Sequence, residues 1–307
     1  MEQKQGNVQK PQNGNRQDYT GIKFLGVMFL LVVIVCGGFL AFSRIRARVN
    51  SHPDNAQSAM ETVRVTFPEG RTVMQYGELL EANEVCAAED FYAAMRDNDF
   101  TADYAFLPAN DILQQREYPL EGYLYPDTYD FFVGEKPVSV IKRFLNNFDA
   151  KVSDELIEHA NSNGEGFKNI KMSFDNAVNL ASIVERESPT DNERAKIAAC
   201  FYNRMENPSA SGTGGKLQSD ATKFYPYVVG NTPENFESEY DTYDFAGLPK
   251  GPICSPSLSS IKAAVYPDRT CKAYFFYNDI NDNHYYSTTY EQHLKNIQYC
   301  RDNGIAQ

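Results

Sequence analysis

Apolar residues recur along this chain with two periods: every second residue, which predicts strands, and every three to four residues, which predicts helices. Val63, Val65 and Phe67 alternate with polar residues, which is typical of a strand. The segments AYFFY and HYYSTT flank the polar stretch NDINDN and predict a β-hairpin. Apolar residues at helical spacing predict helices over residues 88–96, 137–160, 174–187, 191–206, 258–265 and 290–302. The chain is therefore expected to have an α+β fold.

One apolar run is longer than any element of a soluble domain requires. Residues 24–42, FLGVMFLLVVIVCGGFLAF, contain no charged side chain, and about 20 apolar residues cross a bilayer. The basic segment SRIRARVN follows in place of the small-residue cleavage site of a signal peptide. We expect a single transmembrane anchor over 22–42, after a disordered tail over 1–21 and before a linker over 43–61. Basic residues flank both ends of the anchor, so charge alone leaves its orientation open.

The chain after the linker divides into a small and a large part. Pro68–Gly70 predicts a turn after the first strand, and Thr72 with Gln75 has the spacing of a capping box that begins a short helix. These signals predict a compact module over 62–115. A larger mixed α+β domain is expected over 116–303.

Charge and cysteine spacing exclude several function classes. The formal net charge of −12 over 307 residues makes nucleic acid an unsuitable partner. The six cysteines form no C-x-x-C pair and the four histidines show no metal-ligand spacing, so neither a metal nor another cofactor is expected. Cys200 lies on the apolar side of a predicted helix and is expected in the core. If the domain lies outside the membrane, one or two disulfides could form, and the sequence does not show which cysteines would pair.

The end of the predicted helix 174–187 carries the candidate chemistry. Glu185 lies at the edge of its apolar stripe and Glu187 continues that stripe. A helix C-terminus and an apolar neighbourhood both raise the pKa of a carboxyl group, which favours a general acid. The alternative is a glutamate paired with Arg194, Arg204 or Lys196 of the next helix.

Six motifs occur in an order that resembles one family. They are EGYLYPDTYDF, LASIVERE, ERAKIAACFYNRM, LQSDAT, YDTYDFAGLPKGPICSPSLSSIKAA and YFFY…H…STTYEQH. Together they resemble the YceG-like endolytic murein transglycosylases (MltG) over about residues 60–295. The resemblance implies a LysM-like fold for residues 62–115 and a catalytic YceG-like domain for 116–303. It also implies a single-pass protein of the cell membrane, with a cytoplasmic tail and an extracytoplasmic catalytic domain.

The resemblance implies a reaction as well. Members cut nascent peptidoglycan strands between N-acetylmuramic acid and N-acetylglucosamine and leave 1,6-anhydro ends, which is expected to end strand elongation. Glu185 is placed as the catalytic residue, and Glu187 as a structural or cleft-lining one. Partners are expected to be glycan strands and cell-wall synthesis proteins. The residues expected to bind substrate are Asn203, Arg204, Gln218, Asp220, Tyr243, Gly247, Leu248, Pro249 and His284.

The sequence differs from the family motifs at two places, and two alternative functions stay open. Ala221 stands where the family usually has proline, and Ser255–Ser257 replaces its NPG, which affects loop geometry more than the glutamate. A glycoside hydrolase pairing Glu185 with Asp220 is one alternative, because hydrolases use two carboxylates. A non-catalytic peptidoglycan-binding scaffold is the other.

Overall fold

A computed structural model describes residues 61–162, 170, 172–188, 190–227 and 231–307. The predicted tail and anchor, and the linker up to residue 60, lie outside the described residues. None of the helices in these ranges combines the length and apolar composition needed to span a bilayer. The described residues from 61 onward form one compact unit of helices and two small sheets.

The element bounds follow local sequence signals. Thr72 forms the predicted capping box with Gln75 at the start of the first helix. The strands are β1 Thr62–Thr66, β2 Thr128–Phe132, β3 Phe275–Asn278 and β4 His284–Ser287. The helices are α1 Val73–Ala82, α2 Ala88–Asp97, α3 Asn110–Leu113, α4 Pro137–Lys151, α5 Asp154–Asn161, α6 Phe174–Glu187, α7 Asp191–Glu206, α8 Pro208–Ser211, α9 Leu258–Val265 and α10 Tyr290–Asp302, with a 3-10 turn at Asp220–Thr222.

The helix predicted over 137–160 is two helices, which corrects that expectation. The chain leaves helical geometry at Val152 and Ser153, both in extended conformation. Ser153 then caps α5, its hydroxyl accepting a hydrogen bond from the Leu156 amide. A serine that can satisfy a free backbone amide competes with helix continuation, and apolar periodicity does not register this competition.

The two-stranded sheet β1–β2 joins the two predicted parts of the chain. The strands are antiparallel, with Val65 opposite Tyr129. Phe67, which follows β1, contacts Phe131 of β2 and Phe144 of α4 at ring-centroid distances of 6.0 and 4.9 Å. Residues 62–115 therefore share a sheet and a core with the residues after the predicted boundary. The LysM-like character of this segment stays a prediction.

The packing of three helices positions the candidate site. Helices α6, α7 and α9 pack on one another, and α6 is buried along most of its length. Ser173 begins α6 by accepting a hydrogen bond from the Asn176 amide. The helix ends at Glu187 because Ser188 is extended, as expected for a residue before proline. The last turn of α6 thus leaves the core and meets the hairpin β3–β4 and the 217–220 segment.

Candidate active site

The last turn of α6 lies on a large open cleft of about 1340 Å³. Glu185, Arg186 and Glu187 all reach it, so the glutamates picked out by sequence do lie at a cavity. The start of α1 supplies one wall, and the hairpin with α10 supplies another. The lining residues used below are Glu69, Gly70, Arg204, Gln218, Asp220, Tyr243, Phe276, Tyr277, Tyr290 and His293.

Glu185 is held in an ion pair. One of its carboxylate oxygens accepts hydrogen bonds from Arg194 Nη1 at 2.5 Å, from the Ser257 amide at 2.9 Å and from the Ser257 hydroxyl at 2.6 Å. Its side chain is 8% exposed. Burial alone raises the pKa of Glu185, but the hydrogen bonds from Arg194 and Ser257 outweigh burial and lower it below its usual value. The predicted raised pKa of Glu185 is therefore wrong, and the alternative partner Arg194 is the one found.

Glu187 has the electrostatics that had been expected at Glu185. Burial raises its pKa above the usual value of a glutamate, and the negative charge of Asp220 acts in the same direction. The Ser219 hydroxyl donates to Glu187 Oε1 at 2.5 Å and partly opposes these effects. A carboxyl group that keeps its proton to higher pH, at the edge of a cleft, is suited to general acid catalysis.

Arg204 fixes the two walls next to Glu187. It is 6% exposed, and its guanidinium donates to the Tyr274 carbonyl at 2.5 Å and to the Leu217 carbonyl. These bonds tie the residue before β3 and the residue before Gln218 to helix α7. Arg204 therefore lines the cleft while two of its N–H donors are turned to protein carbonyls.

Three more residues from the predicted set line the same cleft. Gln218 lines the cleft and has a positive φ of 53°. Asp220 forms an exposed ion pair with Lys223 at 2.9 Å. The Lys223 ammonium lies 4.0 Å from the centre of the Tyr243 ring, whose side chain is 37% exposed.

The other predicted residues hold the scaffold. The Asn203 amide donates to the carbonyls of Cys271 and Ala273, at 3.1 and 2.9 Å. The Gly247 amide donates to the Gly215 carbonyl at 2.9 Å, which pins the loop before residue 248. Each of these bonds fixes a loop near the cleft rather than a group inside it.

Leu248, Pro249 and His284, the last of the predicted residues, also make contacts within the protein. Leu248 packs against the core, and the Pro249 carbonyl accepts from the buried Asn179 amide at 2.7 Å. His284 stacks on Tyr286 within the hairpin, with ring centres 6.1 Å apart.

Sequence reasoning missed the contribution of the N-terminal segment. Gly70 has φ of 74°, and its carbonyl accepts a hydrogen bond from Arg186 at 3.2 Å. A Cβ at Gly70 would contact the side chains of Glu185 and Arg186 at 3.7 Å. Local sequence predicted the turn at Pro68–Gly70. Its position against α6 depends on a hydrogen bond between residues that are 116 positions apart in the sequence.

The C-terminal contribution was also missed. Tyr290 is 60% exposed at the cleft, and His293 stacks on Phe275 with ring centres 5.4 Å apart. An exposed aromatic ring at the start of a helix has no sequence signal that separates it from ordinary surface tyrosines.

The site and fold together define a mixed α+β protein whose cleft is lined by charged and aromatic side chains. A model of the YceG-like family matches residues 44–299, and the chain belongs to this family. A Bacillus subtilis protein named endolytic murein transglycosylase is 28% identical over 244 residues, covering 76% of this chain and 63% of the relative. A Streptococcus pneumoniae protein of the same name is 27% identical over 253 residues, covering 76% of this chain and 44% of the relative.

A solved structure shows the same fold. The crystal structure of a YceG-like protein from Listeria monocytogenes is 30% identical and superposes with a TM-score of 0.62. The alignment covers 76% of this chain and 75% of that one. The chain spans less than two thirds of the length of the two named relatives.

Proposed function

We propose that this chain is an endolytic murein lytic transglycosylase whose proton donor is Glu187. The observation that carries the proposal is a partly buried carboxyl group with a raised pKa, at a helix end that lines a cleft of about 1340 Å³. The named activity of the two relatives supports the same reaction class. The substrate would be a peptidoglycan glycan strand, cut between N-acetylmuramic acid and N-acetylglucosamine.

The choice between the two glutamates follows from their partners. A general acid needs its proton near neutral pH, and Glu185 is held as a carboxylate by Arg194 and Ser257. Glu187 accepts a hydrogen bond from the neutral Ser219 hydroxyl, and although this bond, the Arg204 charge and the Ala221 amide lower its pKa, burial and Asp220 leave that pKa raised. We therefore assign the proton transfer to Glu187 and give Glu185 a positioning role at the start of α9.

One carboxyl group is enough for a lytic reaction. Glu187 gives its proton to the bridging glycosidic oxygen as the bond from that oxygen to the anomeric carbon breaks. The resulting oxocarbenium-like sugar is then attacked by its own 6-hydroxyl oxygen, and the Glu187 carboxylate takes the hydroxyl proton. The anhydro ring closes, Glu187 is protonated again, and water is not consumed.

The cleft surface suits sugar rings. Tyr243 and Tyr290 expose aromatic faces with a hydroxyl at one end, and such residues combine apolar contact with hydrogen bonding. We also propose that residues 22–42 anchor the chain and that the cleft faces the cell wall; the charge-free run at 24–42 supports the anchor.

Digestion of isolated glycan strands by the full chain tests the proposal. Glu187→Gln keeps the shape of the side chain and removes the proton donor, so we expect activity to fall about 10²–10⁴-fold. Glu69→Gln, another glutamate of the same cleft, is the matched control and should stay within about threefold. Circular dichroism must show that both variants fold like the parent protein.

Mass spectrometry of the products separates the possible reactions. A lytic enzyme leaves anhydro ends, each lighter by one water than the reducing end left by a hydrolase. Reducing ends would favour a hydrolase in which Asp220, also on the cleft, serves as the second carboxylate. Full activity of Glu187→Gln would refute the assignment of the acid, and strand binding without cleavage by the parent protein would favour a scaffold.

A further inference from the structure

Two cysteines distant in sequence meet beside the cleft. Cys200 lies in α7 and Cys271 lies in the segment before β3, and their sulfur atoms are 4.0 Å apart. Among the five described cysteines, these are the two whose sulfurs are in contact. Cys200 is buried and Cys271 is half-buried. The sequence placed Cys200 in the core, and the structure adds a partner that spacing does not reveal.

The backbone around the two thiols is fixed without any sulfur bond. Asn203, less than one turn beyond Cys200, donates to the carbonyls of Cys271 and Ala273. Arg204 donates to the carbonyl of Tyr274. These three hydrogen bonds hold residues 271–274 against α7, so the sulfurs remain neighbours. The held segment leads directly into β3, whose Phe276 and Tyr277 line the cleft.

The two thiols differ in their chemistry. The contact with the Cys200 sulfur lowers the pKa of Cys271 to about 6, although burial opposes this effect. The same pairing, together with burial, raises the pKa of Cys200 well above its usual value. Cys271 is therefore the accessible thiolate, and thiolates are the nucleophiles of thiol–disulfide exchange. Cys200 is placed behind it as the resolving thiol.

We propose that Cys200 and Cys271 are a disulfide-forming pair that fastens the hairpin wall of the cleft to helix α7. In the first step the Cys271 thiolate attacks one sulfur of a disulfide oxidant, forms a mixed disulfide and releases one thiol. In the second step Cys200 loses its proton, attacks the Cys271 sulfur and releases the second thiol. One oxidant disulfide is reduced to two thiols, and two protein thiols are oxidised to one disulfide. A compartment outside the membrane, the location proposed above, supplies such oxidants.

Peptide mapping of the full chain tests this pairing directly. The purified protein is incubated with oxidised glutathione, its remaining thiols are alkylated, and it is digested with trypsin without reductant. Cleavage at Lys196, Arg204, Arg269 and Lys272 releases residues 197–204 and 270–272, each with a single cysteine. We expect these two peptides to be recovered as one linked species that reduction separates. Recovery of both as alkylated or glutathione-bearing peptides, or linked to other cysteines, would overturn the proposal.

Two further measurements extend the test. Cys271→Ser should abolish the linked peptide, while Cys86→Ser, at a half-buried thiol in another part of the fold, should leave it unchanged. Because the crosslink closes a loop of 71 residues, the oxidised parent protein should melt about 5–10 °C higher than the reduced one. Equal melting temperatures of a verified crosslinked and a reduced sample would refute the fastening role. The mapping does not depend on glycan cleavage, so its failure and failure of the proposed activity are independent results.

Discussion

Replacing Glu185 with glutamine is expected to destabilise the fold rather than remove the chemistry. The change deletes the negative charge beside Arg194 while leaving an amide oxygen that can still accept from Ser257. Both side chains of the ion pair are at least nine-tenths buried, at 8% and 10% exposure. Arg194 would keep its contacts to Asp191, Ser257 and Ser260 but lose its buried counter-charge.

The magnitude follows from these contacts. Breaking a buried ion pair by removing one partner costs about 3–5 kcal/mol, and a hydrogen bond to a charged group is worth about 1.5–3 kcal/mol. Because Arg194 retains several acceptors, we expect a loss of about 2–4 kcal/mol in the free energy of unfolding. The melting temperature should fall by about 5–12 °C.

The loss of stability in Glu185→Gln should change with pH in a definite direction, whereas a simple loss of packing would not. The folded pKa of Glu185 is below its value of 4.5 in an unfolded chain, so the folded state binds this proton more weakly. The stabilisation is present above pH 4.5 and is lost as pH falls through the folded pKa. The difference between the parent protein and Glu185→Gln should therefore be largest near neutral pH and shrink in acid.

Urea unfolding followed by far-UV circular dichroism is the suitable assay, since the chain has no tryptophan. Asp191→Asn is the matched control: it also removes a carboxylate beside Arg194, but one that is 72% exposed and expected to contribute less than about 1 kcal/mol. A Glu185→Gln protein as stable as the parent at pH 7, yet inactive on glycan, would refute the reasoning and return the proton-donor role to Glu185.

Three other outcomes follow from buried or strained positions. Glu121 is fully buried, and burial raises its pKa to about 8. Because the folded state binds this proton more tightly than the unfolded chain, the parent protein should lose stability as pH rises from about 4.5 through 8. Urea titrations at several pH values should show that Glu121→Gln flattens this dependence. Gly122 has φ of 87°, and a Cβ there would lie 2.6 Å from a proline, so Gly122→Ala should cost about 2–4 kcal/mol, against about 1 kcal/mol for Gly134→Ala, where the space is open. Tyr243→Ala should lower kcat/KM on glycan strands about tenfold with little change in melting temperature, whereas Tyr266→Ala, exposed elsewhere, should change neither; equal effects of the two tyrosines would refute a binding role for Tyr243.

Local signals were sufficient for most of the elements. Apolar periodicity predicted the bounds of α6, and the aromatic segments on either side of the polar stretch NDINDN predicted the hairpin. The break at Val152 and Ser153 was missed, because apolar periodicity does not register a serine that caps a new helix within the period. Helix bounds depend on residues within a few positions, which is the range a sequence pattern reads.

The sequence by itself determined that the end of α6 carries two carboxyl groups in an apolar setting, and the ordered motifs indicated the family. Only the tertiary structure decided which carboxyl group has the raised pKa and which the lowered one. Arg194 reaches Glu185 from the next helix and Ser257 reaches it from 72 residues away, whereas Glu187 meets Ser219 and the charge of Asp220. A pKa depends on charges and hydrogen bonds within a few ångströms, and those neighbours come from segments whose approach the local sequence does not encode.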